Sequence, residues 1–276
     1  MMPSSNNILN DLRQQLLSAT NTMADIDKFA VTSISKINAT FRPQSVDSCY
    51  SDIIIVAQTT SAGCCYCYNN DPEIPQNILG TDARYIDSGN RYIDIAVLDA
   101  AFSSLLPNPD LYCRLEGNSF QKAEARTTFI VSEIQRLLLD VDVPNNHPCI
   151  TMVGAVGNVL SRLSKLGIPV YATDLDPSLI GTKMGGVLIE NGIDMTLDRV
   201  SESHISLITG MTLATNTLDD ILRVAKKRNA KVVMFAETGG NFAGAYMKMG
   251  IDCIISEEYP FYMFPGVTIL RVFRRR

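Results

Sequence analysis

Apolar residues in the first half of the chain follow two different periods, one helical and one typical of strands. Leucines recur at steps of three and four along residues 6–23, which predicts an amphipathic helix. A β-branched run at residues 52–57 and a second apolar run at residues 64–68 predict two strands of a small sheet. A further helix is predicted over residues 92–106, where two prolines follow the apolar pattern. These elements predict a small α+β unit.

Residues 120–137 carry the longest helical pattern in the chain. Asn118, with Gln121 three residues later, has the spacing of a capping box and predicts where this helix begins. The helix is expected to connect the two halves and to pack against both. A Pro-Asn-Asn segment follows it, so we predict an N-terminal domain over residues 1–144 and a second domain over residues 145–276.

After this linker, short apolar strands alternate with helices. Strands are predicted at 149–153, 170–174, 205–209, 231–235, 253–255 and 267–272. Helices are predicted near 156–166, 218–228 and 242–249. Such alternation implies right-handed crossovers and a parallel sheet covered on both faces. The predicted fold class is therefore α/β, with a Rossmann-like parallel sheet in the C-terminal domain and a smaller α+β domain before it.

Charge and composition narrow the classes of partner. The chain has 276 residues, with 24 Lys and Arg against 29 Asp and Glu, and a formal net charge of -5. This balance removes the usual electrostatic reason to expect nucleic-acid binding. No apolar run approaches the ~20 residues that cross a bilayer, and the first residues lack a signal-peptide pattern. We therefore expect a cytoplasmic protein that binds a small molecule and neither nucleic acid nor membrane.

Three of the seven cysteines crowd together at Cys64, Cys65 and Cys67. Thiolates bind zinc and copper well, so a soft-metal site is one interpretation of this segment. The spacing favours strand packing instead, because neighbouring residues in a strand point to opposite faces and only Cys65 and Cys67 share one. Zinc sites usually draw on paired C-x-x-C or His spacings, and the chain offers only His147 and His204 besides.

Ligands of Rossmann-like sheets bind outside the carboxyl ends of the strands, so the loops there are the candidate site. The first loop contains Gly154, Val156, Gly157 and Asn158, in which the glycines would allow a ligand to approach the backbone closely. The dinucleotide fingerprint has three glycines where this loop has two. A plain strand-to-helix turn without a ligand is the alternative.

The second strand ends at Asp174 and Leu175, which begin a second candidate loop. Asp174 lies 20 residues after Gly154, a distance that fits the carboxylate binding ribose hydroxyls in nucleoside-binding Rossmann domains. A carboxylate there would repel a phosphorylated ribose and disfavours NADP. The neighbouring Asp176 is also explained as the acceptor of an Asx turn before Pro177.

Hydroxyl and amide side chains fill the loop after the third predicted strand. Thr209, Gly210, Thr212 and Asn216 are the candidates for a ligand pocket. Thr217 is set apart, because Asp220 three residues later predicts a capping box for the following helix.

The fourth loop carries Glu237, followed by Thr238, Gly239 and Gly240. Glu237 is the strongest candidate for acid/base chemistry or for orienting a ligand. A strand-end carboxylate that only partners a helix terminus is the structural alternative.

Two stretches carry a resemblance to a known family. Residues 152–177, and the core Thr-Gly-x-Thr-Leu-x-x-Asn-x-Thr that starts at Thr209, resemble the Rossmann-like domain of proteins named for "putative heavy-metal chelation". The family's first domain is similar to the N-terminal domain of enolase, and residues 95–101 resemble its Ala-rich helix. The chain departs from the family at Glu237, where the relatives have a turn rich in Gly and Pro.

The sequence is compatible with three functions. The leading one is an enzyme or binding protein for an adenosine-type ligand, most simply S-adenosylmethionine, with a small polar metabolite between the domains; as an enzyme it would be a transferase or a cyclase or lyase. The alternative is a metal-chelating or metallophore-related protein, so a bound metal stays open. The third is a noncatalytic scaffold whose basic end, residues 271–276, contacts a partner, although a solvated end is commoner. A homodimer is expected only because many Rossmann-like enzymes dimerise.

Overall fold

The structure is a computed structural model that describes residues 8–20, 26–41, 50–141 and 148–276. The strands are β1 (Ser33–Phe41), β2 (Tyr50–Gln58), β3 (Ala62–Cys67), β4 (Leu111–Leu115), β5 (Ile150–Val153), β6 (Val170–Asp174), β7 (Lys183–Met184), β8 (Val187–Asn191), β9 (Ile205–Thr209), β10 (Lys231–Ala236), β11 (Cys253–Glu257) and β12 (Thr268–Arg274). The α-helices are α1 (Ile8–Thr20), α2 (Arg91–Phe102), α3 (Ser119–Leu138), α4 (Gly157–Leu163), α5 (Gly192–Glu202), α6 (Met211–Ala214), α7 (Leu218–Arg228) and α8 (Ala243–Met249).

The large sheet has the strand order of a Rossmann fold. Its six parallel strands lie side by side as β8-β6-β5-β9-β10-β11. Counted along the chain from β5, this is the order 3-2-1-4-5-6, with the topological switch between β5 and β9. The predicted α/β class is confirmed, and the sheet is mostly parallel.

Both edges of this sheet are antiparallel, which the sequence did not indicate. Strands β12 and β4 extend it beyond β11, and the short β7 closes the opposite edge against β8. Because β4 pairs with β12, a segment before the predicted domain boundary belongs to the large sheet. The boundary itself, at residues 144 and 145, lies outside the described residues and stays a prediction.

The smaller sheet is antiparallel, in the order β1-β2-β3. Strict alternation along β2 explains why it can be covered on both faces: Ile55 and Ala57 face the main core, whereas Ile54 and Val56 face a second cluster around Phe261. Helix α2 packs on the first face. Its apolar residues join the same core as the helices of the large sheet, so one continuous core crosses from the small sheet to the large one.

Helix α3 covers the other face of the large sheet, together with α4. The predicted capping box is confirmed: the Asn118 side chain accepts from the Gln121 amide at 2.9 Å, and Gln121 Oε1 accepts from the Asn118 amide at 3.0 Å. Among the described residues, no helix is both long and apolar enough to cross a membrane.

The basic end of the chain is largely built into the sheet as β12. Arg271 is 9% exposed, and its guanidinium donates to Asn241 and Ser256, each at 3.0 Å. The expectation of a solvated tail therefore fails for this residue, because antiparallel pairing with β11 draws it into the protein interior.

Candidate functional site

A cleft of about 1290 Å³ lies between the carboxyl ends of the parallel strands and the small sheet. All eleven residues predicted for the site line it. They are Gly154, Val156, Gly157, Asn158, Asp174, Leu175, Thr209, Gly210, Thr212, Asn216 and Glu237. They meet because the carboxyl ends of parallel strands share one edge of a sheet. Their role as ligand contacts stays a prediction.

Gly154 lies at the switch point, where only glycine fits. Its φ is +87°, and a Cβ added there would lie 2.7 Å from Thr209 Oγ1. The loops after β5 and β9 therefore touch at this point, and a side chain at position 154 would be strained and would push Thr209 away. Helix α4 begins at Gly157 with no side-chain cap on its backbone amides.

Asp174 organises the loop that Gly154 begins. Its Oδ2 accepts from the Ala155 amide at 2.6 Å, and its Oδ1 accepts from the Asp176 amide at 2.9 Å. Each carboxylate oxygen can accept a second hydrogen bond, and the half-buried side chain lines the cleft. The Asx-turn interpretation of Asp176 is confirmed, since its Oδ1 accepts from the Ser178 amide at 2.8 Å.

Most hydroxyl groups of the loop after β9 form hydrogen bonds to the backbone of the same loop. Thr212 Oγ1 donates to the Thr209 carbonyl at 2.8 Å, and Thr215 Oγ1 donates to the Met211 carbonyl at 2.9 Å. Within the described part of the chain, the side chains of Thr209 and Asn216 form no hydrogen bond. These two, rather than Thr212, have polar atoms to offer a ligand.

The predicted capping box of Thr217 and Asp220 is wrong. Thr217 occupies the N-cap of α7 but makes no side-chain cap. Its hydroxyl lies instead 3.4 Å from the Thr212 carbonyl and 3.1 Å from Thr215 Oγ1. The helical backbone of Thr217, with ψ of -10°, turns the side chain away from the amides of the first turn.

Glu237 is one of two carboxylates that share a buried arginine. Arg126 Nη1 donates to Glu237 Oε1 at 2.8 Å and to Glu257 Oε2 at 3.0 Å. The Glu257 side chain is fully buried, whereas Glu237 keeps 19% of its side-chain surface exposed to the cleft. The guanidinium is stacked 3.7 Å from the ring centroid of Tyr262, whose amide donates to Glu257 Oε1 at 2.5 Å.

This arrangement favours the neutral, protonated form of the Glu237 side chain over its carboxylate form. Burial, together with the neighbouring Glu257, raises its pKa from the usual value of 4.5 to about 8, and Arg126 offsets only part of this rise. A carboxyl with this pKa exchanges its proton near neutral pH, the property required of a general acid or base. Burial lowers the pKa of Arg126, but the two carboxylates raise it more, so the guanidinium stays charged.

Four residues that were not predicted for the site line the Glu237 end of the cleft: Asp52, Tyr66, Arg126 and Tyr262. A signal for Arg126 was present, because Lys122 and Arg126 both lie on the apolar face of α3, beside the buried Ala123 and Ile130. Charges one helical turn apart within an apolar stripe indicate buried partners. Nothing in the sequence separates Tyr66 from an ordinary core tyrosine.

The cysteine cluster is divided between two cores. Cys65 belongs to the main core and Cys64 to the cluster around Phe261, so strand alternation separates them as predicted. Burial raises the pKa of both thiols well above the usual value. Among the described residues, no group of three His, Cys, Asp or Glu side chains could hold a metal ion, and His147 lies outside them.

The strand order and the cleft at the switch point define the class of protein: a two-domain α/β protein with a Rossmann-like sheet. Residues 139–256 match the model of the family DUF364, described as "Putative heavy-metal chelation". The resemblance predicted from the sequence is thereby confirmed over this region. A comparison with curated proteins gives no match.

Two solved structures support the fold over nearly the whole chain. A DUF364 protein of unknown function from Desulfitobacterium hafniense DCB-2 is 16% identical, with a TM-score of 0.56, covering 90% of this chain and 87% of that one. Another from Pyrococcus horikoshii is 12% identical, with a TM-score of 0.52, covering 97% and 99%. At these identities the likeness concerns the fold alone.

Proposed function

We propose that the protein is an enzyme or binding protein for small molecules, with an adenosine-type ligand at Asp174 and a small polar metabolite at Glu237. The observation that carries the proposal is the Glu237 carboxyl, which faces the cleft with a pKa of about 8. Maintaining such a group costs stability, and perturbed groups of this kind concentrate at functional sites.

Asp174 supports an adenosine-type ligand at its own end of the cleft, which we call the adenosine end. Its carboxylate follows the second strand of a Rossmann-order sheet, keeps acceptor capacity on both oxygens and lines the cleft. Ribose hydroxyls are the usual ligand of an acid in this position. The loop over residues 154–158 has two glycines rather than the three of the dinucleotide fingerprint. A ligand without phosphate, such as S-adenosylmethionine, therefore suits this end better than a dinucleotide.

The reaction we propose is group transfer from the sulfonium compound, or its intramolecular displacement. Sulfonium is a good leaving group, so the demand on the protein is to take a proton from the attacking atom. The ionised form of Glu237 can accept that proton, and a pKa near the working pH favours the exchange.

Isothermal titration of the full chain with S-adenosylmethionine, repeated with NAD and with zinc, tests this proposal. We expect micromolar binding of S-adenosylmethionine and none of NAD. Asp174→Asn should weaken binding about tenfold, a loss of about 1.4 kcal/mol, because one ribose acceptor is removed. Asp198→Asn, an exposed acid on α5, is the matched control and should bind like the wild type. Absence of heat with S-adenosylmethionine would overturn the proposal, and equal binding by Asp174→Asn would remove Asp174 from it.

The family match favours a second function, a role in metal chelation. Metal analysis of the protein purified without a polyhistidine tag tests it. A stoichiometric metal that is lost on changing Cys65 and Cys67 to Ser would replace the first proposal. Because the buried thiols must lose protons to bind, such a site should also weaken as the pH falls.

A further inference from the structure

Acids outnumber bases around the Glu237 end of the cleft, counting the buried Glu257 and Lys122, which lie beneath its lining. Asp52 contributes a carboxylate from β2, Glu237 follows β10, and Glu257 ends β11. The cations facing them are Arg126 and Lys122, both from α3. Counting Asp52, Glu257, Arg126 and Lys122 as charged, this set is neutral when Glu237 is protonated and carries one negative charge when Glu237 is ionised.

Both cations form hydrogen bonds within the protein, although Arg126 Nε is buried and has no hydrogen-bond partner in the described structure. Arg126 Nη1 is shared by the two glutamates, as described above. Lys122 Nζ lies behind them and donates to the carbonyls of Phe264 and Gly266 at 2.6 and 2.9 Å. A ligand anion at this end would meet the carboxyl groups of Asp52 and Glu237, and the charge of Arg126 is already shared by two glutamates, so the charge balance favours a cation.

A second, independent observation is the hydroxyl of Tyr66. The residue is 9% exposed and lines the cleft, yet its buried hydroxyl forms no hydrogen bond within the described structure. Burial raises the pKa of Tyr66, and the carboxylates of Glu237, Asp52 and Glu257 raise it further, so this hydroxyl stays neutral. A buried hydroxyl without a partner costs about 1–3 kcal/mol, which a ligand group in hydrogen-bond reach would recover.

The walls of this end are aromatic. Phe41 and Tyr262 line the cleft in an edge-to-face pair, with ring centroids 5.8 Å apart. Arg126 covers one face of Tyr262. Aromatic faces next to carboxylates are a favourable environment for an organic cation.

We propose that the Glu237 end of the cleft binds an alkylammonium group, which donates to Glu237 and to the Tyr66 hydroxyl. The proposal rests on the proposed function in placing a ligand in this cleft, and it names the class of the polar metabolite: a primary amine. Strand β6, which ends at Asp174, and strand β10, which Glu237 follows, are three strand spacings apart, about 14 Å at ~4.8 Å each. The amine therefore binds beside the adenosine end without overlapping it.

Binding of the cation is coupled to the release of a proton from Glu237. At pH 7 Glu237 is mostly protonated, since its pKa is about 8. An ammonium ion favours the carboxylate, so its binding should release a proton from this group at pH 7 and release almost none at pH 9. The groups that face Glu237 and enter this balance are Asp52, Cys64, Tyr66, Arg126 and Glu257.

The test uses n-butylammonium chloride and its neutral counterpart 1-pentanol, titrated into the full chain. Calorimetry at pH 7 in phosphate and in Tris, which differ in ionisation enthalpy, counts the protons released. We expect butylammonium to bind about tenfold more tightly than pentanol, the ratio given by about 1.4 kcal/mol. We also expect close to one proton to be released.

Three variants test which residues cause the preference for the cation and the proton release. Glu237→Gln should abolish both the preference for the cation and the proton release, whereas Tyr66→Phe should weaken butylammonium several-fold and leave the proton release intact. Glu258→Gln is the matched control, because this glutamate pairs with Arg271 and does not line the cleft. Thermal melting of each variant verifies that it is folded.

The outcomes separate the two proposals. Equal binding of butylammonium and pentanol, or a preference that survives in Glu237→Gln, overturns the ammonium site. So does zinc that displaces butylammonium, because the site would then be one for a metal ion. Failure of S-adenosylmethionine to bind overturns the proposed function and leaves the ammonium site standing, since that titration depends on Asp174 and this one on Glu237.

Discussion

At the scale of single residues, the defining feature is a buried cation held between two carboxylates. Arg126 and Glu257 have 8% and 0% of their side-chain surface exposed, and Glu237 completes the cluster at the cleft. Each charge is stable in the interior only because the others are present. The pKa of Glu237 therefore depends on the whole cluster. A change at Arg126 alters both the stability of the protein and the proposed chemistry.

Arg126→Met should destabilise the protein by about 3–5 kcal/mol, because it leaves Glu237 and Glu257 side by side without a cation. Urea unfolding measures this loss. The control is Arg223→Met, which breaks an exposed pair with Asp220 and should cost less than about 1 kcal/mol. If Arg126→Met were as mild as its control, the two carboxyls would be sharing a proton without needing the arginine.

At the scale of elements, the contact of α2 with β3 positions the small sheet over the cleft. It depends on Gly63, where an added Cβ would lie 2.0 Å from the Ala100 amide nitrogen and 2.3 Å from the Ala96 carbonyl oxygen. Both obstacles are backbone atoms, so they cannot rotate away. The close approach also brings Tyr66, three residues along the strand, to its position in the cleft.

Gly63→Ala should therefore destabilise the protein by about 1–3 kcal/mol, the usual cost of overpacking. Gly244→Ala is a control of the opposite sign. Gly244 lies within α8, and a Cβ there would make only an ordinary contact, 3.4 Å from Pro107 Cδ. Alanine in a helix interior is favoured over glycine by about 0.5–1 kcal/mol. Chemical denaturation measures the free energy of unfolding of both variants. If Gly63→Ala left this free energy unchanged, α2 would be able to move away from β3.

At the scale of the whole molecule, Asp99 joins the two units. This buried residue of α2 accepts from the Cys64 amide of β3 at 2.9 Å and from the Asn241 amide of the large unit at 2.7 Å. Asn241 in turn donates to the carbonyls of Ala62 and Asp99, each at 3.0 Å. Burial raises the pKa of Asp99 from 3.8 to about 7, although the two amides act in the opposite direction.

This shift makes the stability of the assembled molecule depend on pH. Between about pH 4 and pH 7 the unfolded chain has lost the Asp99 proton while the folded chain retains it, so stability falls as the pH rises. The free energy of unfolding of wild type minus that of Asp99→Asn should decline across this window, by at most about 1.4 kcal/mol per pH unit. It should level off above about pH 8. A flat difference would show that Asp99 is ionised throughout, held by its two amides.

Much of the fold follows from local pattern. The strands β5, β6, β9 and β10, the helix α7 and the cap at Asn118 lie within a few residues of their predicted positions, because period and capping are short-range properties. Strands β1, β4 and β8 and helix α5 were not predicted. The burial of these strands alternates imperfectly or they lie at sheet edges, where exposed polar residues hide the pattern. In α5 the apolar Ile193 and Leu197 are exposed while Gly192 and Thr196 are buried, so apolar spacing does not mark its buried face.

The class of sheet and the loops that form one wall of the cleft follow from local sequence patterns, since parallel strands always end at a common edge. The groups that face that wall depend on how distant segments pack in three dimensions. Asp52 and Tyr66 come from strands about 170 to 185 residues away from Glu237, and Arg126 comes from a helix on the other face of the sheet. The protonation of Glu237 follows from these partners and from burial, both of which depend on long-range packing, so no local pattern could reveal it.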